Sequence, residues 1–279
     1  MSLPSPSLLP LSPCTILRVR GPDRLRFLNG QLTQDVHHAR DGRAVYSAIL
    51  NAKGQLEAVC HVREEGADGD YLLDAPIALR ETLLARLDRY LIADDVELLD
   101  ESDDWHAAHL LGAEVPGNLS AWQCTRLAQP GHDLLARSPI AVEGVPELSI
   151  EQAEHARIEL GIPAWGAELA EGLLPPDADL EASAISYDKG CYLGQEVISR
   201  MKRAGKTNQH LVRLAVPEGT PVPSLLVSGE KEAGRITSVS GDLALGFRRR
   251  KFAEQDEFSL RTPDGGNLPG TARVRDRAA

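Results

Sequence analysis

The chain has 279 residues, 42% of them hydrophobic and 25% charged, which is enough for two or three compact units with a good core. Thirty Lys and Arg stand against 41 Asp and Glu, a net charge of −11 that excludes a protein coating nucleic acid with its whole surface, because phosphates are repelled. No apolar run is long enough to span a bilayer, so no membrane partner is expected.

Met1–Pro13 holds four prolines and no basic residue, which excludes a signal peptide and predicts a floppy leader. Cys14–Arg20 alternates as a strand, and Gly21-Pro22-Asp23 turns the chain. Leu25, Leu28 and Leu32 then fall at helical spacing. Ala44–Leu50 and Gln55–Arg63 read as strands joined by Asn51-Ala52-Lys53-Gly54, whose Asn and Gly tolerate positive φ and predict a hairpin. Tyr71–Asp74 continues the sheet. Leu79, Leu83, Leu84, Leu87 and Leu91 form the apolar stripe of a helix, and Asp94–Leu99 returns as a strand. The order implies an α+β unit of packed layers.

Asp100–Pro146 alternates short apolar runs with Gly and Pro, as strands and loops do. Ser149–Leu160 reads as a helix with a capping box between Ser149 and Gln152, ended by Gly161-Ile162-Pro163. Ala164–Tyr187 is loop-rich, and long loops inside compact domains are functional or disordered. Tyr192–Lys202 reads as a helix. Beyond a boundary near Gly205, five short alternating segments (His210–Val216, Leu225–Ser228, Lys231–Val239, Leu243–Phe247 and Glu257–Arg261) predict a small β-barrel. Two basic clusters, Arg200/Lys202/Arg203/Lys206 and Arg248–Lys251, fit either solvated faces or an anion-binding rim.

Four scattered cysteines, none in a CxxC pair, argue against a zinc site or a disulfide framework and for a reducing cytoplasm. Cys191 stands apart from Cys14, Cys60 and Cys124, which read as structural. Its segment is Lys189-Gly190-Cys191-Tyr192-Leu193-Gly194-Gln195-Glu196-Val197-Ile198-Ser199-Arg200. Placed where a loop becomes a helix, with Lys189 two residues away, the thiol is expected to have a lowered pKa. Gly190 and Gly194 leave room for a ligand or another backbone. Gln195 and Glu196 offer planar polar groups, and Arg200 is one turn from Glu196. A buried, inert Cys191 beside an ordinary helix ion pair is the competing reading.

The string Lys-Gly-Cys-Tyr-x-Gly-Gln-Glu followed by Arg resembles the signature of the YgfZ family, whose mitochondrial relatives assist iron–sulfur protein maturation. Phe27–Val36 resembles that family's amino-terminal segment, and Ala52-Lys53-Gly54 its hairpin turn. Arg157–Pro163, Leu174-Pro175-Pro176, Gly234–Ser238 and Ala244-Leu245-Gly246 match further segments in order. The resemblance implies the fold of the glycine-cleavage T-protein. It would comprise a folate-binding region over 1–205, with a middle α+β unit near 46–139 inserted, and a β-barrel over 206–279. It also implies tetrahydrofolate as cofactor, with Glu159 holding the pterin edge through two carboxylate oxygens. Lys189, Gly190, Tyr192, Gly194, Gln195, Glu196 and Arg200 would line the site around Cys191.

One departure bears on activity. The T-protein's transfer chemistry depends on acidic residues just after the hairpin turn, where this chain has Ala58 and Val59; Glu57 is expected on the opposite face of its strand. The expected function is therefore a folate-binding accessory factor for iron–sulfur enzymes, including those that thiolate tRNA, with Cys191 as reactive thiol or transient cluster contact. The alternatives are a one-carbon transferase and an interaction module without either chemistry. The acidic balance argues against direct tRNA contact.

Overall fold

The computed structural model describes residues 4–66, 68–205 and 207–275. They form two compact units, Met1–Leu148 with Leu180–Arg200, and Ser149–Asp179 with Met201–Ala279.

The first unit opens with β1 (Ser7–Pro10) and β2 (Cys14–Arg20), followed by α1 (Arg24–Gln31). The hairpin strands β3 (Ala44–Leu50) and β4 (Leu56–Glu65) lead to β5 (Asp70–Pro76), α2 (Arg80–Asp88) and β6 (Glu97–Asp100). β7 (His106–Leu111), β8 (Ser120–Arg126) and β9 (Gln129–Ala136) follow. Two antiparallel sheets result, a five-stranded one ordered β3-β4-β5-β2-β6 and a four-stranded one ordered β1-β7-β9-β8. Ile16, Ala44, Leu72, Trp122, Cys124 and Leu135 from these strands form one buried apolar cluster.

A charged network lies buried among the same strands. Arg126 on β8 donates Nε to Asp133 Oδ1 at 2.8 Å and reaches Asp74 Oδ2 at 2.9 Å. His109 Nδ1 pairs with Asp133 at 2.8 Å, and Arg63 on β4 pairs with both aspartates. Burial disfavours a charged Asp133, but the Arg126 and Arg63 guanidiniums outweigh it and hold that carboxyl well below the usual range. The network ties one sheet to the other through specific partners rather than through area alone.

The predicted floppy leader is corrected in part. Met1 to Leu3 lie outside the described residues, but Ser7–Pro10 pairs with β7, from Ser7 opposite Leu111 to Pro10 opposite Ala108. Leu8 is buried. β1 is an edge strand, where flanking prolines cost no ladder hydrogen bond.

α3 (Ile150–Leu160) carries the expected capping box: the Gln152 N–H donates to Ser149 Oγ at 3.2 Å and the Ser149 N–H to Gln152 Oε1 at 2.8 Å. Gly161 ends it with φ 75°. Arg157, buried on α3, donates to Glu168 Oε2 at 2.9 Å and to Ser238 Oγ at 2.7 Å. Glu168 also accepts from Ala164 N–H at 3.0 Å and Thr237 Oγ1 at 2.7 Å, so the loop after α3 is fastened rather than loose. α4 (Glu181–Ala184) and α5 (Gln195–Ala204) follow.

The barrel comprises β10 (Gln209–Ala215), β11 (Ser224–Ser228), β12 (Lys231–Ser240), β13 (Leu243–Arg249), β14 (Glu257–Arg261) and β15 (Asn267–Val274). It closes in the order β10-β13-β12-β11-β14-β15, around Leu214, Leu226, Ile236, Phe258, Leu260 and Ala272. The mixed α+β architecture with a carboxy-terminal barrel agrees with the expectation. β15 escaped the sequence reading because Pro269 and Gly270 interrupt its alternation; pairing with β14 and with the end of β10 makes it a strand. α3 and the segment to Asp179 group with the barrel rather than with the sheets before them.

Candidate functional site

The segment 189–200 is built onto the first unit by three contacts. Lys189 is buried, and its Nζ donates to the carbonyl oxygens of Asn29, Leu32 and Gln34, each at 2.8 Å. Those carbonyls cluster because α1 ends at Gln31 and the chain turns outward, leaving acceptors that no helical N–H reaches. An ammonium has three N–H donors, one for each carbonyl. Burial lowers its pKa to about 8, against the opposing pull of Asp35.

The second contact is backbone on backbone. The 51–54 turn closes with the Gly54 N–H on Asn51 O at 2.9 Å, and Asn51 Oδ1 accepts from Lys53 and Gln55 N–H. Gly194 (φ 86°) lies against that turn so closely that a Cβ there would sit 2.7 Å from Asn51 O and 3.1 Å from Gly54 Cα. Gly54 (φ 72°) meets Val197 in the same way, at 2.9 Å from a Cβ. Both positions therefore need glycine, for conformation and for space. The third contact is the Leu193 N–H on Gly30 O at 3.2 Å. Thr33 completes the floor: its hydroxyl donates to Ala184 O at 2.6 Å and accepts from Ala48 N–H at 2.9 Å. The segments Phe27–Val36, 51–54 and 189–197, far apart in sequence, are thus one local structure.

Several expectations change. α5 begins at Gln195, after the Gly194 turn, so Cys191 lies four residues ahead of the helix. It is not among the first-turn N–H groups, and the dipole effect fades within one turn. Lys189 is directed inward onto three carbonyls, so its charge serves the loop and is corrected from ligand contact to anchor. Gly190 is exposed, with open space where a Cβ would be, so crowding does not require glycine there. Gly194 makes room for another backbone, the second of the two expected uses.

Cys191 is exposed, whereas Cys14, Cys60 and Cys124 are buried. Burial raises all three of those thiols, Cys60 and Cys124 to about 12. Tyr192 is buried with its ring 5.4 Å from Lys189 Nζ. Its hydroxyl has no hydrogen-bond partner among the described residues, and burial pushes it up to about 12. Gln195 is half-buried. Glu196 and Arg200 pair at 2.9 Å with side chains 85% and 71% exposed, an ion pair of little weight for stability. Of the basic cluster beyond it, Lys206 lies outside the described residues.

Glu159 belongs to the second unit, half-buried in the last turn of α3. Arg213 Nη1 donates to its backbone oxygen at 2.7 Å and steadies the helix end. Glu57, near the hairpin, is ion-paired with Arg86, which also donates to Gln31 Oε1 and to Leu50 O at 2.9 Å. Ala58 and Val59 are buried. Among the described residues no group of three or more His, Cys, Asp or Glu side chains is placed to hold a metal ion, and no helix is long and apolar enough to cross a membrane. Sequence reasoning missed the Arg157–Glu168 pair and the orphaned Tyr192 hydroxyl; the first arises from loop packing, the second from depth, and neither has a spacing signature.

Replacing Lys189 by Met removes the donors and leaves three carbonyls facing an apolar chain. Lys189→Met is expected to lower unfolding stability in urea by about 2–4 kcal/mol. An unchanged midpoint would show that the anchor carries no weight.

No protein-family model matches the chain. It is 27% identical over 235 residues to the tRNA-modifying protein YgfZ of Klebsiella pneumoniae, covering 75% of this chain and 71% of that protein. It is 26% identical over 282 residues to a mitochondrial iron–sulfur cluster assembly factor IBA57 homolog of Chaetomium globosum, covering 88% of this chain and 61% of the relative. The solved structure of the glycine cleavage system aminomethyltransferase T from Bartonella henselae shares the fold with a TM-score of 0.76, over 97% of this chain and 85% of that one, at 17% identity. The cysteine signature and these relatives support a YgfZ-type identity for the chain, and its architecture is that of the T-protein fold.

Proposed function

We propose that this protein is a folate-binding accessory factor that supports iron–sulfur cluster assembly or repair in iron–sulfur enzymes, tRNA-thiolating ones among them. The observation that carries the reading is the contrast between cysteines: three are buried, and the fourth is exposed on a loop anchored at Lys189, Leu193 and Gly194. A side chain held at the surface by so much buried structure suits a contact with another macromolecule. The relatives' names point to the same work.

Cys191 acts here through access rather than through activation by Lys189 or by a helix end. One thiolate does not satisfy an iron–sulfur cluster, which needs about four. The cluster is therefore cargo or substrate, touched by Cys191 while other ligands come from a client. Glu196 and Arg200, both exposed, and the half-buried Gln195 are the neighbouring contacts available to that client or to a ligand, while Tyr192 lies beneath them.

The residues also fit a folate. Glu159, on the second unit, carries the planar carboxylate that suits the guanidine-like edge of a pterin. Bound tetrahydrofolate supplies a carrier for one-carbon units. The runner-up reading, an aminomethyl or other one-carbon transferase, draws on the shared fold but lacks the acid after the hairpin. Ala58 and Val59 occupy that stretch, and the Glu57 carboxylate is engaged by Arg86.

Iodoacetamide labelling followed by peptide mapping near neutral pH is expected to modify Cys191 at least about tenfold faster than the three buried thiols; Cys191 as the slowest would reject an accessible functional thiol. Cys191→Ser, introduced into cells lacking the native protein, is expected to abolish support of iron–sulfur-dependent tRNA thiolation. Full complementation by the serine form would remove the thiol from the mechanism. Tetrahydrofolate titrated into the purified protein is expected to bind, and Glu159→Ala to weaken it roughly 10- to 100-fold, the worth of hydrogen bonds to a charged group. Equal affinity in the variant would take Glu159 out of the site.

A further inference from the structure

A cleft of about 610 Å³ lies in the first unit beside the Asp41-Gly42 turn, apart from the Cys191 loop in sequence and in lining residues. His37, His38, Arg40 and Arg43 contribute from the segment after α1, Gln123 from β8 and His132 from β9. Gln123 and His132 are cross-strand partners, so the wall is a regular piece of sheet. β8 is the edge of that sheet, and its Gln123 N–H donates to Gly42 O at 2.7 Å, which fastens the turn to the wall. Positive φ at Asp41 (55°) and Gly42 (72°) reverses the chain between Arg40 and Arg43.

The charge of this lining runs against that of the chain. Two guanidiniums face one lining carboxylate, Asp41, in a protein of net charge −11. Arg40 Nε is hydrogen-bonded to Tyr71 Oη at 3.2 Å and lies 3.8 Å from Glu64. His37 is paired with Asp35 at 2.7 Å. Arg43 has no ion pair or side-chain hydrogen bond among the described residues. An unpaired guanidinium beside a second, oriented one is the arrangement that receives a phosphate through paired N–H donors. The imidazoles of His37, His38 and His132 are flat surfaces on which a base stacks, and the Gln123 amide can read a base edge. The volume exceeds what an isolated inorganic anion fills and falls in the range of small-ligand sites.

We propose that this cleft binds the phosphate groups of a nucleotide, either free or as part of a single-stranded RNA segment. The site uses neither Cys191 nor Glu159, so it stands or falls separately from the function proposed above. The global acidity is no obstacle, because charges further away than about a Debye length, roughly 8–10 Å at physiological salt, are screened while those in the cleft act directly.

The test uses the full chain at low salt: calorimetric titration with adenosine triphosphate, and fluorescence anisotropy with a labelled hexauridylate. At least one is expected to bind, with Arg43→Ser weakening it about fivefold and Arg40→Ser/Arg43→Ser at least tenfold. Arg89→Ser, at the exposed position just after α2, and Cys191→Ser should bind as the parent does, and urea midpoints verify that the variants are folded. Triphosphate binding with no further gain from the oligonucleotide assigns a free nucleotide. A tighter oligonucleotide complex, whose affinity falls with a log–log salt slope of about 0.7 per phosphate contact, assigns RNA. Absence of binding by both at millimolar concentration, or affinity unchanged in the folded Arg43→Ser protein, overturns the proposal.

Discussion

The Lys189 ammonium, held by three backbone carbonyls, is the interaction on which the candidate site rests. A charge is rarely buried without partners, and here each N–H has one. The carbonyls come from the turn that ends α1, so the loop carrying Cys191 is joined to the first helix of the unit. Gly194 against Gly54 fixes the same loop from the other side. Between these two points the chain has little choice of path, and Cys191 and Gly190 are left outside. The exposure of the thiol is thus a consequence of the anchoring on either side of it.

Buried charge is used repeatedly in this protein, and each time it joins segments distant in sequence. Arg63, Arg126, Asp74, Asp133 and His109 connect strands of two sheets. Arg157 and Glu168 fasten the loop after α3 to β12. Arg86 collects Glu57, Gln31 and Leu50. Such networks add specificity of arrangement more surely than stability, because desolvation offsets much of the attraction. The Glu57–Arg86 pair commits the first carboxylate after the hairpin turn to structure.

Local patterns were legible where local physics governs. The α3 capping box and its Gly161 terminator, the Asn51–Gly54 hairpin and most barrel strands follow from neighbouring residues alone, and the structure has them where they were read. Ser7–Pro10 was not legible as a strand, since the prolines in and around it mask a pairing that exists only because β7 offers an edge. β15 likewise depends on its partners. The helix after Cys191 starts later than periodicity implied, because the positive φ of Gly194 is imposed by its contact with the hairpin.

The sequence by itself determined the alternation that makes the sheets and barrel, the glycines that permit the turns, and the signature that singles out Cys191 from three other cysteines. Only the tertiary structure decided what Lys189 does. Sequence proximity put its charge beside the thiol, but the side chain reaches carbonyls about 160 residues away in the chain, at Asn29, Leu32 and Gln34. The reason is that an ammonium goes where acceptors are concentrated and water is excluded, and such a place is made by the fold rather than by adjacent residues.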